Sequence, residues 1–192
     1  MLVPERIHTE RFLLRSWRAL DALMLRPVLE ANQSHIAPWI PRRVSEPAAI
    51  EELERRLDDF RAAFDAAREW RYAIFSPDES ELLGEIDLLP RNADERVSYA
   101  EADRTEIGYW LRADRTGQGL ATEAARAMID VAIGLSALNS VEIRCDARNA
   151  ASAAVPRRLG FTLARTESDA SAVPGEPPVT MQIWTFALRR VA

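Results

Sequence analysis

The sequence predicts a mixed α/β domain, an α+β arrangement around one mixed sheet. Three observations predict it. Ile50, Leu53, Leu57, Phe60 and Phe64 recur at spacings of three and four, lining one face of a helix. Thr105 to Leu111 alternates instead, with Ile107, Tyr109 and Leu111 on one side and Glu106, Gly108 and Trp110 on the other, as a strand requires. The order is mixed, with helices early, then strands, then strand, helix, strand, helix, strand, which says α+β or α/β with a mixed sheet. A chain of 192 residues fits a single domain spanning 1–192 and buries roughly 70% of its unfolded surface without a staple.

Taken in order, Arg11 to Arg15 reads as a first strand. Residues 18–31 read as a helix with Leu20, Met24 and Val28 at four-residue spacing, and Pro27 is expected to kink or interrupt it. Asn32 to Pro41 holds Pro38, Pro41 and Trp39 and reads as an ordered loop. The helix at 50–64 begins with Glu51, Glu52 and Glu54, where its dipole favours anions. Strands follow at Trp70–Phe75 and Glu81–Leu89, joined by a turn at Ser76–Glu79, and 91–104 is a polar loop. After the strand at 105–111, Leu120, Ala124, Met128, Val131 and Leu135 mark a helix. Val141–Cys145 is a strand, and Ala150–Leu159 a helix ended by Gly160. Phe161–Thr166 begins a strand, Ser168–Pro178 is a loop, and Gln182–Leu188 is the last strand.

Composition narrows the class. With 47% hydrophobic and 29% charged residues the chain is an ordinary folded domain, neither disordered nor low-complexity. One cysteine, Cys145, forbids an internal disulfide and reads as a buried core residue, and His8 and His35 are too few for a metal site. No signal peptide or membrane-length apolar run is present, so a cytoplasmic protein is expected. A net charge of −5 argues against general nucleic-acid binding.

The segment that carries chemistry runs from Trp110 to Ala124, where a strand ends in a Gly117-Gln118-Gly119 loop and a helix begins. The unpaired N–H groups of a first helical turn attract anions, and the glycines with Ala121 leave them open, which makes a pyrophosphate cradle. A P-loop is excluded because the lysine is missing, and the dinucleotide fingerprint fails at Thr122. A turn that binds nothing remains the alternative on this segment alone. The next strand–helix unit adds Asn149, a good N-cap, and Ser152 one turn in, so one ligand lying across both units becomes the better reading.

These motifs resemble the GNAT N-acetyltransferase superfamily, in its Rim-type branch of ribosomal-protein alanine acetyltransferases. Thr116-Gly117-Gln118-Gly119-Leu120-Ala121 is similar to the family's pyrophosphate loop, and Ala121-Thr122-Glu123-Ala124 continues it. Glu106 to Leu111, Thr9 to Arg15, Asn149 with Ser152, and Leu159-Gly160-Phe161 also match, in order and over nearly the whole chain. The resemblance implies a twisted mixed sheet flanked by helices, with coenzyme A between the central strands. It implies acetyl-CoA as co-substrate and no metal. Trp110, Leu111, Arg115, Thr116, Gly117, Gln118, Gly119, Leu120, Ala121, Thr122, Asn149 and Ser152 would hold that co-substrate.

Departures matter too. Thr116 replaces the usual Gln or Arg, with Arg115 as a substitute contact. The family's general-acid tyrosine has no counterpart between Asn149 and Phe161, so Ser152 is the candidate donor to the sulfur. Pro156 has no N–H for the Ser152 carbonyl, which is expected to be satisfied by the pantetheine arm or by water. Glu106 is the leading candidate base, with Glu85 and Asp87 in reserve, and a backbone N–H around Gly108–Trp110 is the expected oxyanion donor. His35 and Trp39 are expected to border the acceptor. The acceptor implied is a primary amine, foremost a protein N-terminal α-amine such as that of a ribosomal protein. A small amine (amino acid, polyamine or aminoglycoside) and a non-catalytic CoA-binding module are the alternatives. A homodimer is compatible with the sequence, which carries no signature for one.

Overall fold

The computed structural model describes residues 2–169 and 178–188. Eight strands form one sheet: β1 (Arg6–His8), β2 (Leu13–Ser16), β3 (Trp70–Phe75), β4 (Leu82–Arg91), β5 (Arg104–Leu111), β6 (Ser140–Asp146), β7 (Thr162–Asp169) and β8 (Val179–Ala187). Their order is β1-β2-β3-β4-β5-β6-β8-β7. The helices are α1 (Ala22–Ile36), a short α2 (Arg42–Ser45), α3 (Ile50–Asp65), α4 (Leu120–Ile133) and α5 (Ala150–Arg158). This is the mixed α/β architecture expected.

Every pairing is antiparallel except β5 with β6, which α4 connects as a crossover. That parallel ladder runs only from Arg104↔Ser140 to Ile107↔Ile143. Both strands continue, yet each stays paired to its outer neighbour, as far as Gly84↔Leu111 on one side and Asp146↔Met181 on the other. The sheet therefore opens between the carboxyl ends of its two parallel strands.

The alternation of β5 divides the core. Ile107 and Leu111 join α4 and α5 in one cluster, whereas Trp110 joins Trp17, Leu29, Leu57 and Phe75 under α1 and α3. Helix α3 buries Leu53, Leu57, Phe60 and Phe64 as its spacing required.

The first third differs from expectation. A three-residue strand, β1, too short for a periodic signal, pairs with β2 through Ile7↔Leu14. A 3-10 turn at Ala19–Asp21, where Arg15 holds Asp21 with two bonds of 2.7 Å, leads into α1, which starts at Ala22. Its buried face is Ala22, Leu25, Leu29, Asn32 and Ile36, and Leu20 is 74% exposed. Pro27 does not interrupt the helix, because it sits on the outer face and the carbonyl it leaves unpaired belongs to exposed Leu23. The helix consequently absorbs Asn32 to His35, expected as loop. Strand β7 runs to Asp169, into the loop expected at Ser168–Pro178, of which 170–177 lie outside the described residues, and β8 begins at Val179, ahead of the strand expected from Gln182.

Leu57 is fully buried between α3 and the sheet. Leu57→Ala is expected to cost about 2–5 kcal/mol, read as a lowered urea midpoint with an unchanged slope. A loss below about 1 kcal/mol would show that α3 is not part of the cooperative core.

Candidate active site

A cleft of about 960 Å³ lies where β5 and β6 part, reaching from the end of α1 to the start of α4. At one end is the glycine loop. Gly117 and Gly119 have φ of 73° and 81°, a region that side chains disfavour. A Cβ on Gly117 would meet nothing within 4 Å, and one on Gly119 only Arg11 Nη2 at 3.6 Å, so the face above the loop is open. Helix α4 starts at Gly119 with no side-chain cap, which leaves its first N–H groups for a ligand. Arg11 braces the loop: Nε donates to Glu123 at 2.6 Å and Nη1 to the Gln118 carbonyl at 2.8 Å. Trp110 Nε1 and Thr122 Oγ1, on residues lining the cleft, are buried without a partner. An open glycine cradle, an uncapped helix start and two orphaned donors fit a phosphorylated, elongated ligand such as a coenzyme A thioester.

The loop residues divide into two groups. Trp110, Leu111, Thr116, Gly117, Gly119, Leu120, Ala121 and Thr122 line the cleft. Arg115 is instead paired with Glu81 at 2.5 Å, and Gln118 donates its side-chain amide to the Asp114 carbonyl, so neither side chain faces the cleft. Thr116 spends its hydroxyl on the Ala113 carbonyl. Two residues absent from the sequence reading are Arg126 and Arg158, which line a smaller cavity of about 390 Å³ beside Gly117 and Gly119. Neither makes an ion pair among the described residues. Thr122 and Arg126 stand one turn apart on α4, a spacing that could have flagged the second from the first.

On the β6 side, Asn149 caps α5, its Oδ1 accepting from the Ser152 N–H at 3.0 Å. The Ser152 carbonyl, expected to await ligand or water, instead accepts from the Tyr109 hydroxyl at 3.0 Å. Tyr109 Oη also lies 3.1 Å from Ser152 Oγ. Burial pushes the Tyr109 phenol upward and keeps it protonated. Cys145 also lines the cleft, and burial pushes its thiol up.

The opposite half has a charged floor made by one face of β3, β4 and β5. Arg71 Nη1 donates to Glu85 at 2.9 Å and to Asp87 at 2.7 Å. Trp17 Nε1 donates to the other Glu85 oxygen at 2.9 Å. Burial pushes the Glu85 carboxyl up to about 7, against the opposing pull of Arg71, and burial likewise raises Asp87. The Gly108 N–H donates to Asp87 Oδ1 at 2.8 Å, which takes it out of the set of expected oxyanion donors. A Cβ at Gly108 would meet that oxygen at 2.6 Å, so only glycine admits the contact. Glu106 has both oxygens occupied, by Arg91 at 2.5 Å and Arg96 at 3.1 Å. His35 and Trp39 line the rim above this floor. Among the described residues no group of three or more His, Cys, Asp or Glu could hold a metal ion, and no helix is long and apolar enough to cross a membrane.

The acetyltransferase (GNAT) domain family matches residues 11–162. The putative ribosomal N-acetyltransferase YdaF of Bacillus subtilis (strain 168) is 28% identical over 152 residues, covering 79% of this chain and 78% of that one. The probable N-acetyltransferase YjcK of the same organism is 24% identical over 119 residues, and the match spans 62% of each chain. Among solved structures, a RimL ribosomal L7/L12 α-N-protein acetyltransferase in complex with coenzyme A, held as a disulfide to a cysteine, superposes with a TM-score of 0.79 at 20% identity, covering 97% of both chains.

Glu85 gives the site a pH signature. Its folded pKa of about 7 lies above the ordinary value, so the stability tied to its proton is complete at low pH and is lost as pH rises through 7. Glu85→Gln cannot ionise and keeps an acceptor for Trp17. The variant should therefore gain on the wild type between about pH 5 and 8, by on the order of 1–3 kcal/mol. Urea midpoints across that range measure this, and a constant difference would mean that Glu85 titrates as an ordinary carboxyl.

Proposed function

The chain belongs to the GNAT acetyltransferase family, and on that premise we propose that it transfers an acetyl group from acetyl-CoA to a protein N-terminal α-amine. The observation that carries the reading is the parallel ladder ending at Ile107↔Ile143 beside an uncapped α4. An extended arm fits between the parted strands while a pyrophosphate meets the N–H groups after Gly119. Arg126 and Arg158 extend the same positive end. The names of the relatives support a protein acceptor, since RimL is an L7/L12 α-N-protein acetyltransferase and YdaF a putative ribosomal N-acetyltransferase.

The thioester supplies an already activated acetyl group. The protein's part is to hold two substrates in line and to manage protons, and positioning is the larger contribution. Only a neutral amine attacks. Among the floor carboxylates Glu85 is the better base, because burial holds it near 7 and it has one guanidinium partner, Arg71, beside the neutral Trp17 indole, whereas Glu106 is bonded by two guanidinium groups. An α-amine has a pKa near 7.7–8.0 and a lysine amine near 10.4. Handing a proton to a carboxyl of pKa about 7 is thus about one unit uphill for the first and over three for the second, some 4–5 kcal/mol. That difference favours an α-amine. Ser152, at the β6 edge of the opening, donates to the departing sulfur.

Gly119→Glu puts a carboxylate where the pyrophosphate would lie, and Gly119→Ala imposes the same backbone strain without the charge. By calorimetry the first is expected to lose acetyl-CoA binding by at least about 100-fold and the second to lose less than about 10-fold. Equal losses would refute the cradle. An acceptor screen by thiol release, across N-terminal peptides, polyamines, amino acids and aminoglycosides, should give peptides the highest kcat/KM. Activity with none would leave a CoA-binding module. In the same assay Glu85→Gln should abolish the rise of kcat/KM near pH 7, and Glu106→Gln should retain it. The reverse result would return the base to Glu106.

A further inference from the structure

Tyr109 has no part in the chemistry so far. By alternation it belongs with Ile107 and Leu111 in the core, yet its ring only packs against that cluster and its hydroxyl reaches across the opening of the sheet to α5. What it finds there is made by Pro156. In an unbroken helix the Ser152 carbonyl would accept from the N–H of residue 156, and proline has none. The Tyr109 hydroxyl takes that place at 3.0 Å. A carbonyl can only accept, so the phenol proton is committed to it. The contact of 3.1 Å between Tyr109 Oη and Ser152 Oγ can then only be made with the serine as donor, and the Cys145 thiol is the other side-chain partner of that hydroxyl. With its N–H held by Asn149 Oδ1 at 3.0 Å, Ser152 is fixed at its N–H, its carbonyl and its hydroxyl.

We infer that Tyr109 is a positioning residue for Ser152, holding the serine hydroxyl between β5 and β6 so that it can turn to the departing sulfur. The inference rests on the acetyl-transfer reading above. When the carbon–sulfur bond breaks, the sulfur keeps the electron pair. The Ser152 O–H moves its hydrogen bond from Tyr109 Oη to that sulfur, and the thiolate is protonated afterwards from solvent. Tyr109 keeps its proton throughout, as the upward push of burial on the phenol requires. The tyrosine is thus supplied by the strand that leads to the glycine loop, and it acts through the serine.

The test uses three proteins: the wild type, Tyr109→Phe, and Tyr109→Phe with Pro156→Ala. The single variant should lower kcat about 10-fold and leave KM for acetyl-CoA within about 2-fold. A second readout needs no turnover. The thiol of bound coenzyme A, titrated by its ultraviolet thiolate absorbance against ligand-free enzyme, should have a pKa about one unit higher in the variant than in the wild type. The double variant restores the helix bond to the Ser152 carbonyl, so it should recover the thermal midpoint and neither kcat nor the thiol pKa. Recovery of all three would show that Tyr109 only caps the carbonyl, and would overturn the inference. So would a Tyr109→Phe enzyme with unchanged kcat and thiol pKa. A wild-type protein that binds no coenzyme A would instead overturn the acetyl-transfer reading beneath it.

Discussion

The early end of one hydrogen-bond ladder governs this molecule. Strands β5 and β6 share four residue pairs and then separate, each kept straight by an antiparallel partner on its far side. A ladder abandoned midway leaves backbone polar groups that must be satisfied by something else. It also puts the ends of two parallel strands, and the helices that follow them, around one gap. The glycine loop, the α4 start, Tyr109 and Ser152 all depend on that gap for their proximity. Were the ladder closed to Leu111, none of them would share a ligand.

The gap has two chemically distinct walls. The wall toward α4 and α5 is poor in paired charge and rich in free donors: helix N–H groups, Thr122, and the guanidinium groups of Arg126 and Arg158. The wall under α1 is saturated with paired charge. Arg71 is shared by Glu69, Glu85 and Asp87, and Glu106 is shared by Arg91 and Arg96. The chain has no lysine, so every one of these buried pairs uses a planar, multidentate guanidinium that can serve two or three carboxylates at once. Burying that many charges is costly unless each is bonded, and the network is a weak source of stability. Its product is a carboxyl that burial holds near 7 at Glu85, beside an Asp87 that burial also raises.

How much of this could be read in the sequence followed the range of the interactions. Gly117, Gly119, Asn149 and Gly160 act on neighbours a few residues away, and their spacing announced a loop, a cap and a helix end that the structure contains. The two faces of β5 were legible for the same reason. Contacts between distant segments were not. The phase of α1 turned on Arg15 seizing Asp21 and Glu79, a tertiary event that no periodicity in 18–31 records. Arg115 looked available beside the loop, yet Glu81 on the hairpin had claimed it. Gly108 looked like an invitation to an oxyanion, and its N–H is spent on Asp87. In each case a short-range reading named the right neighbourhood, and a partner from another strand decided what the group does there.

Pro156 shows how a local defect becomes a tertiary link. A proline inside a helix normally costs about 3 kcal/mol, part of it for the carbonyl left without a donor. Leu23 suffers the same loss before Pro27, and there the carbonyl lies on an exposed residue, so solvent can repair the defect. Ser152 is half-buried at the edge of the gap, and its carbonyl is repaired by a side chain from another strand. The two prolines have the same covalent effect and opposite consequences. At Pro27 the helix is tied to nothing by it. At Pro156 the helix that carries the serine is bonded to the strand that leads into the glycine loop, so β5 and α5 hold a common reference beside the very place where the β5–β6 ladder is missing.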